Sequence, residues 1–477
     1  MEYKATIGLE VHAELKTQTK MFCNSKNDPE EKRPNVNICP VCMAHPGTLP
    51  VINKEAVKHV LKVGKAIGAT IADFTEFDRK NYFYPDIPKG YQISQYKYPL
   101  VSGGLLKGVA ITRVHLEEDT ARSTHEKGDP ASPETSQGGY SLVDFNRAGM
   151  PLMELVTEPV VKDAEQAVAF AKELQLLLRF LGASDANMEK GEMRVEANVS
   201  VSTTDTFGTK VEVKNLNSFR VVERAINYEI ERQITVIEKG ERVLQETRGW
   251  DEKKQATFSQ RLKETSEDYR YFPDPDLPKL KISEIEEFQN MELPELPWEK
   301  RERYKKEYGI KDEDIESFIV DRELGAFFER VASALSGDKK AIALASNYIT
   351  SDLVGLSPSA GGVRLPQIED FVELMKMTGA GEISSRGAKD ILKILVTEGG
   401  NSRAIAQQRG LFQKSDEGEL AATVLRIISE NEQVAADYRA GKEAALQYLV
   451  GQGMRATSGA ANPAALKKIF EEKLKNL

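Results

Sequence analysis

The sequence predicts an α+β domain over roughly its first 290 residues and an all-helical remainder. Three observations carry this. Strands with one wet face recur up to about residue 217, amphipathic helices fit between them, and after a Pro- and acid-rich stretch at 273–298 the pattern turns helical. Wet-faced strands mixed with helices point to an antiparallel sheet.

The first strand spans 5–15. Ala5, Ile7, Leu9, Val11, Ala13 and Leu15 alternate with Thr6, Gly8, Glu10, His12 and Glu14. Val109–Leu116, Tyr140–Arg147, Arg194–Thr203 and Thr209–Asn217 read as further strands. Asp163–Leu181 reads as a helix, with Ala167, Ala171, Leu174, Leu178 and Leu181 on one side and a stop at Gly182. Ser218 caps another, which carries Val222, Ile226, Ile230, Ile234 and Ile237 and ends at Gly240. Pro273, Pro275, Pro278, Pro294 and Pro297 mark a boundary, and a second break falls at Gly399-Gly400-Asn401. Gly355–Gly362 reads as a loop between helices, and its Gly361-Gly362 pair is no amidase serine motif.

Length and composition narrow the function. A chain of 477 residues, 40% apolar and 29% charged, is long enough for two to four domains of roughly 100–200 residues. No stretch approaches the ~20 unbroken apolar residues of a membrane span. The start, Met1 to Thr6, lacks a basic segment followed by an apolar one, so no secretory leader is expected. Three cysteines do not make a secreted disulfide framework, so the expected address is the cytoplasm. The net charge of −9 argues at first against a nucleic-acid partner. The excess acid is local, however: residues 251–330 hold 15 basic against 22 acidic side chains, while 401–477 hold 11 against 9.

Several constellations suggest chemistry. Glu10, His12 and Glu14 share a strand face, successive members about 7 Å apart by strand rise. That row reads either as a divalent-metal wall, its oxygens favouring Mg²⁺ or Mn²⁺ over Zn²⁺, or as an ordinary solvated face. His115-Leu116-Glu117-Glu118-Asp119 ends another strand, and Glu154 follows the 140–147 strand. Period 2 groups Glu117 with His115, so Glu118 reaches the same site only if the strand ends or bulges there. Between 79 and 96, tyrosines interleave with Arg79, Lys80 and Lys89, which suits stacking and phosphate or carboxylate binding as well as plain packing on a core. Glu196, Asn198, Glu212 and Lys214 form a polar floor if their strands pair, and residues 270–276 can close it. Cys39-Pro40-Val41-Cys42 is a CxxC loop of zinc-knuckle type, but only Cys23 accompanies it, with Ser25 where a second thiolate would stand. There is no GxxxxGK[ST] loop, no GxGxxG after a strand and no GxSxG elbow.

Taken together, these stretches resemble the GatB family, the B subunits of the tRNA-dependent aspartyl/glutamyl amidotransferases. The motifs are Ile7–His12, Phe77–Asp86, Tyr91–Gln95, His115–Asp119, Val143–Gly149, Lys214–Phe219, Asp268–Pro273, Leu449–Gln452 and Ala461–Pro463, and the likeness covers nearly the whole chain. It implies a glutamine-synthetase-like cradle domain over 1–292, a helical domain over 293–398 and a small helical, tRNA-binding tail over 399–477. It implies ATP and Mg²⁺ as cofactors. The implied reaction phosphorylates the side-chain carboxylate of Glu-tRNA(Gln) or Asp-tRNA(Asn), then amidates it with ammonia. That ammonia comes from a partner amidase, and a small third subunit completes a heterotrimer. The implied catalytic and Mg²⁺-binding residues are Glu10, His12, Glu118 and Glu154. Lys80, Tyr82, Tyr84, Asn146, Asn198, Glu212, Lys214 and Asn217 are implied to line the ATP and substrate pocket. Many members carry a cysteine quartet; Ser25 breaks it here, leaving Cys23, Cys39 and Cys42 as an incomplete zinc set. Lys389, Arg403, Arg409 and Arg455 are candidate tRNA contacts, or else a solvated helix face.

Overall fold

The computed structural model describes residues 2–126, 140–262, 269–356, 364–413, 417–457 and 461–475. The loop assigned to Gly355–Gly362 and Asp268 of one motif fall wholly or partly outside them. The chain divides into two compact units, Met1–Pro297 and Trp298–Leu477.

The first unit is built on a mixed sheet with thirteen strands among the described residues. Its main path uses β1 (Lys4–Glu14), β2 (Asp78–Asn81), β3 (Tyr91–Ser94), β4 (Val109–Glu118), β5 (Pro151–Thr157), β6 (Met193–Ser202), β7 (Val211–Leu216), β8 (Glu246–Asp251), β9 (Ala256–Leu262) and β10 (Phe272–Pro273). The spatial order is β9-β8-β7-β6-β1-β5-β4-β3-β2-β10. Pairing along the path is antiparallel except between β7 and β8, which run parallel. Ile7, Leu9, Val11 and Ala13 of β1, with Val195, Ala197, Val199 and Val201 of β6, are buried on one face. After α1 (Lys54–Ala66) in the chain, helices α2 (Ala164–Phe180) and α3 (Phe219–Glu238) pack on that face. Burial of each Ile, Leu or Val side chain among them stabilises by ~1.5–3 kcal/mol. Asp163 and Ser218 cap the two helices through their side-chain oxygens.

Three features depart from the sequence reading. Tyr140–Asp144 is a strand, but it pairs with Arg122–Glu126 in a separate ladder rather than joining the main sheet. The main-sheet strand is β5, Pro-Leu-Met-Glu-Leu-Val-Thr, a nearly continuous apolar run after Gly149 whose buried length hides its period. Along α3 the buried stripe is Val222, Ala225, Ile226, Glu229 and Gln233, whereas Ile230, Ile234 and Ile237 are only half-buried. Gln233 is inside because it completes the sheet. Just past the last β6–β7 pair, its amide donates to the Val199 carbonyl (3.1 Å) and accepts from Val201 N (3.0 Å).

In the second unit the regular elements among the described residues are helical. Ser402–Gln408 packs on Ile368–Gly379 and Ser385–Thr397, and residues from Leu420 to Leu474 share a core of their own.

Candidate active site

The face of the sheet opposite α2 and α3 is polar, and its register assembles a site. His12 stands directly across from Glu154, and Glu154 directly across from His115, so three strands place imidazole, carboxylate and imidazole in one row. One oxygen of Glu154 lies 3.5 Å from His12 Nε2 and 3.4 Å from His115 Nε2. His115 Nε2 is also 3.2 Å from Glu117 Oε1, and His12 Nε2 is 3.8 Å from Glu10 Oε1. Donor atoms of Glu10, His12 and Glu154 lie within 4.8 Å of one another, as do those of His115, Glu117 and Glu154.

The floor continues across β6 and β7. Glu196 faces Glu10 in the register, and Lys214 Nζ is 2.8 Å from Glu196 and 3.9 Å from Glu212. Thr247 donates to Glu212 at 2.6 Å. A cavity of about 250 Å³ lies over this floor, lined by Glu10, Lys80, Arg113, His115, Glu117, Glu154, Glu212 and Lys214, with tyrosines around it.

Burial and crowding set the charges. Burial opposes a charge on His12, but its hydrogen bond to Glu154 and the charges of Glu154, Glu10 and Glu117 outweigh it and raise it to about 9. His115 is likewise raised to about 9: burial opposes, and Glu154 and Glu117 prevail. Burial works against the Glu154 carboxylate too, yet His115, followed by hydrogen bonds from its neighbours, holds it well below the usual range. Glu10 is pushed up to about 7 by burial and by Glu154 and Glu196. Lys80 and Lys214 are raised: burial opposes their charge, and Glu117 leads the acids around Lys80 as Glu196 does around Lys214.

The predicted residues do not all converge. Glu10, His12 and Glu154 come together, with Lys80, Glu212 and Lys214 around the same cavity. Glu118 does not. From Arg113 to Glu118 β4 keeps one register with β5, so alternation turns Glu118 to the other side, where it accepts from Ile93 N (2.9 Å), pairs with Lys89 and lines a separate cavity beside Cys23 and Cys42. Glu117 takes its place, its Oε2 accepting from Gln92 Nε2 at 2.5 Å. Period 2 groups Glu117 with His115, and the cavity is lined by that pair and not by the Glu118 that the family resemblance implies. Glu14 shares the face but is drawn aside by Arg147 (2.9 Å).

Asn146 is likewise away from the pocket: it accepts from Val36 N and Asn37 N (2.8 Å each) and donates to the Arg33 carbonyl, pinning a loop. Asn217 is exposed beyond the end of β7, and Asn198 stands opposite Glu212 in the register. Tyr82 donates to Gln92 Oε1 at 3.1 Å and Tyr84 is exposed. Tyr96, from the 79–96 stretch, and Tyr269, from the Asp268–Pro273 motif, line the cavity, as does Arg113, which the sequence reading leaves aside although alternation in β4 places it with His115 and Glu117. Of the candidate tRNA contacts, Lys389 pairs with Asp352 (2.6 Å) and Arg403 with Glu373 and Glu382 (2.9 and 3.0 Å), while Arg409 and Arg455 are exposed.

The cysteines do cluster, with Cys23, Cys39 and Cys42 sulfurs within 4.8 Å of one another. Ser25 Oγ lies 3.7 Å from Cys42 Sγ, and the fully buried Lys20 lies 3.8 Å from it. Cys42 is lowered to about 4 by its hydrogen bond with Cys23, against burial and with help from the Lys20 charge. Three sulfurs and a hydroxyl do not make the closed four-ligand thiolate and imidazole site of structural zinc.

A mixed sheet walled by helices on one face, with a carboxylate–imidazole row able to hold a divalent cation on the other, defines a class of enzyme-like pocket. Similarity to known proteins narrows it. A family model described as the GatB/GatE catalytic domain matches residues 5–287, and one described as the GatB domain matches 326–474. Proteins named as the B subunit of aspartyl/glutamyl-tRNA(Asn/Gln) amidotransferase are similar over their full length. That of Picosynechococcus sp. is 43% identical over 99% of this chain and 98% of its own length. Those of Thermomicrobium roseum and Moorella thermoacetica are each 44% identical over 99% of this chain, covering 99% and 100% of their own length. The chain belongs to the GatB family, the B subunits of the aspartyl/glutamyl-tRNA(Asn/Gln) amidotransferases.

Proposed function

We propose that this chain amidates misacylated tRNA. It transfers a phosphoryl group from ATP to the side-chain carboxylate of glutamate on tRNA(Gln) or aspartate on tRNA(Asn); ammonia then displaces that phosphate and leaves the amide. The supporting observation is the convergence of Glu10, His12, His115, Glu117 and Glu154 beneath a small cavity that also holds Lys80 and Lys214. The shared name of the relatives supplies the substrate class.

A carboxylate oxygen is a poor leaving group, and phosphorylation makes it a good one. Such transfer depends on positioning and charge neutralisation more than on a strong base. Carboxylate oxygens and imidazole nitrogens at these spacings fit a divalent cation, with Glu10, His12 and Glu154 as one set of ligands and His115 and Glu117 beside them. Bound there, Mg²⁺ would neutralise the phosphates of ATP. Lys80 and Lys214, kept charged by the surrounding acids, draw in the phosphates and the substrate carboxylate. The tyrosines over the floor limit access of water to the acyl phosphate. The three thiols and Ser25 are not assigned zinc, and no step passes through them.

In this reading the first unit is the glutamine-synthetase-like cradle, and the helical unit holds the tRNA, with Arg409 and Arg455 presented to it. The chain works in the cytoplasm within a heterotrimer, beside an amidase that frees ammonia from glutamine and a small third protein. Glu10→Gln in the reconstituted complex is expected to abolish tRNA-dependent ATP hydrolysis while tRNA binding persists. Full amide formation by that variant would remove Glu10 from the reaction.

A further inference from the structure

Five tyrosines from three segments form a continuous arch beside the acid floor. Ring centres of Tyr84 and Tyr82 are 5.9 Å apart, those of Tyr82 and Tyr269 5.9 Å, and those of Tyr269 and Tyr271 6.1 Å. Tyr271 then lies flat against Tyr96 at 4.2 Å and 9°. Tyr96, Tyr269 and Tyr271 line the cavity, and Lys80 Nζ sits 5.1 Å from the Tyr269 ring centre. Both ends of the arch meet solvent, with Tyr84 53% and Tyr96 49% exposed.

The backbone is arranged to hold this arch. Arg270, between two of the tyrosines, has φ +45°, a left-handed conformation uncommon outside glycine. The Asn81 amide donates to the carbonyls of Tyr269 (3.2 Å) and Arg270 (2.8 Å) and fixes that turn against β2. Scattered exposed aromatics need no explanation, but a flat Tyr271–Tyr96 stack with half of Tyr96 in solvent is a surface on which a further ring can continue the stack. Lys97 and Arg270, the chain neighbours of Tyr96 and Tyr271, are exposed, and the Lys97 ammonium lies 5.2 Å from the Tyr98 ring centre.

Size decides what the arch receives. A cavity of about 250 Å³ is smaller than the ~300–1,000 Å³ of pockets that enclose drug-sized ligands. It has room for an amino-acid side chain and a phosphoryl group, but not also for the nucleoside that carries the amino acid. That nucleoside must remain at the mouth. We propose that the Tyr96–Tyr271 stack seats the unpaired 3′ end of the tRNA, with the terminal base on the outer face of Tyr96 and Lys97 and Arg270 facing its phosphates. An open, one-sided platform with neighbouring cations suits a single strand, whose bases stack without sequence readout. The inference rests on the amidation reading above.

The test uses the complex with its partner proteins and tRNA carrying 2-aminopurine at the 3′-terminal position. Binding to the wild-type complex is expected to quench that fluorophore; Tyr96→Phe preserves the quench and Tyr96→Leu abolishes it. In steady state, Tyr96→Leu raises the KM for aminoacyl-tRNA about tenfold, within the range for loss of one base–aromatic stack, and leaves the KM for ATP in place. An unquenched fluorophore on a wild-type complex that still amidates would overturn the platform while the amidation reading stands. A rise in the ATP KM alone would also overturn it, because the adenine of ATP would then be the occupant. A wild-type complex that forms no amide contradicts the amidation reading itself, whereas the quench reports separately on the platform.

Discussion

Glu154 is the residue on which the site turns. Two imidazoles from different strands share one of its oxygens, and the carboxylate stays charged although buried. The consequence appears in pH. His12 and His115 are raised from 6.5 to about 9, so in metal-free protein their contribution to stability is complete below about pH 6.5 and is lost as pH rises through 9. Glu10, raised from 4.5 to about 7, acts in the same direction, its contribution lost as pH rises through 7. The metal-free chain is therefore expected to melt lower at pH 9.5 than at pH 6.5, and Glu154→Gln to reduce that difference; equal melting temperatures for the wild type at both pH values would disprove the coupling. The neighbouring pair Glu117 and Glu118 gives a kinetic contrast. Glu117→Gln is expected to lower amidation by roughly tenfold to a hundredfold, the scale for losing a carboxylate that orients a metal-binding imidazole. Glu118→Gln, whose oxygen holds Ile93 N and Lys89 on the other side of the strand, is expected to cost less. The reverse order in single-turnover assays would move the site to the Glu118 face.

At the scale of elements, the legible parts were those with a clean period and a cap. β1 and β6 alternate without interruption, and α2 and α3 begin at Asp163 and Ser218, residues whose side chains cap for a plain chemical reason. β5 is illegible in the sequence because burial on both faces removes alternation, so the pattern places Glu154 after a strand rather than in the middle of one. The inner stripe of α3 escaped for a different reason: Gln233 substitutes for a missing strand partner, which no periodicity of apolar residues can reveal. Replacing it by leucine leaves Val199 O and Val201 N without partners, and is expected to destabilise the first unit by about 1–3 kcal/mol, the cost of unsatisfied buried groups. Thermal unfolding checks this, and an unchanged midpoint would show that water serves those groups equally well.

Across the whole chain, charge reads by region rather than as a total. The net −9 is concentrated in 251–330, and the tail from 401 onward is slightly basic, so the overall sign does not oppose a polyanionic substrate. The family match runs through both units, 5–287 in the first and 326–474 in the second, so neither is an accessory outside the family's extent. The organisation proposed is a cradle that activates a carboxylate and a helical unit that holds the tRNA bearing it. The most direct test measures ADP and amide together, in the complex of this chain with its amidase and its small third protein, supplied with ATP, glutamine and either Glu-tRNA(Gln) or Asp-tRNA(Asn). The account predicts ADP and aminoacyl amide rising together, one for one, with neither formed when the tRNA is uncharged. Amide formed without ATP consumption, or ATP consumed at the same rate without a charged tRNA, would contradict it.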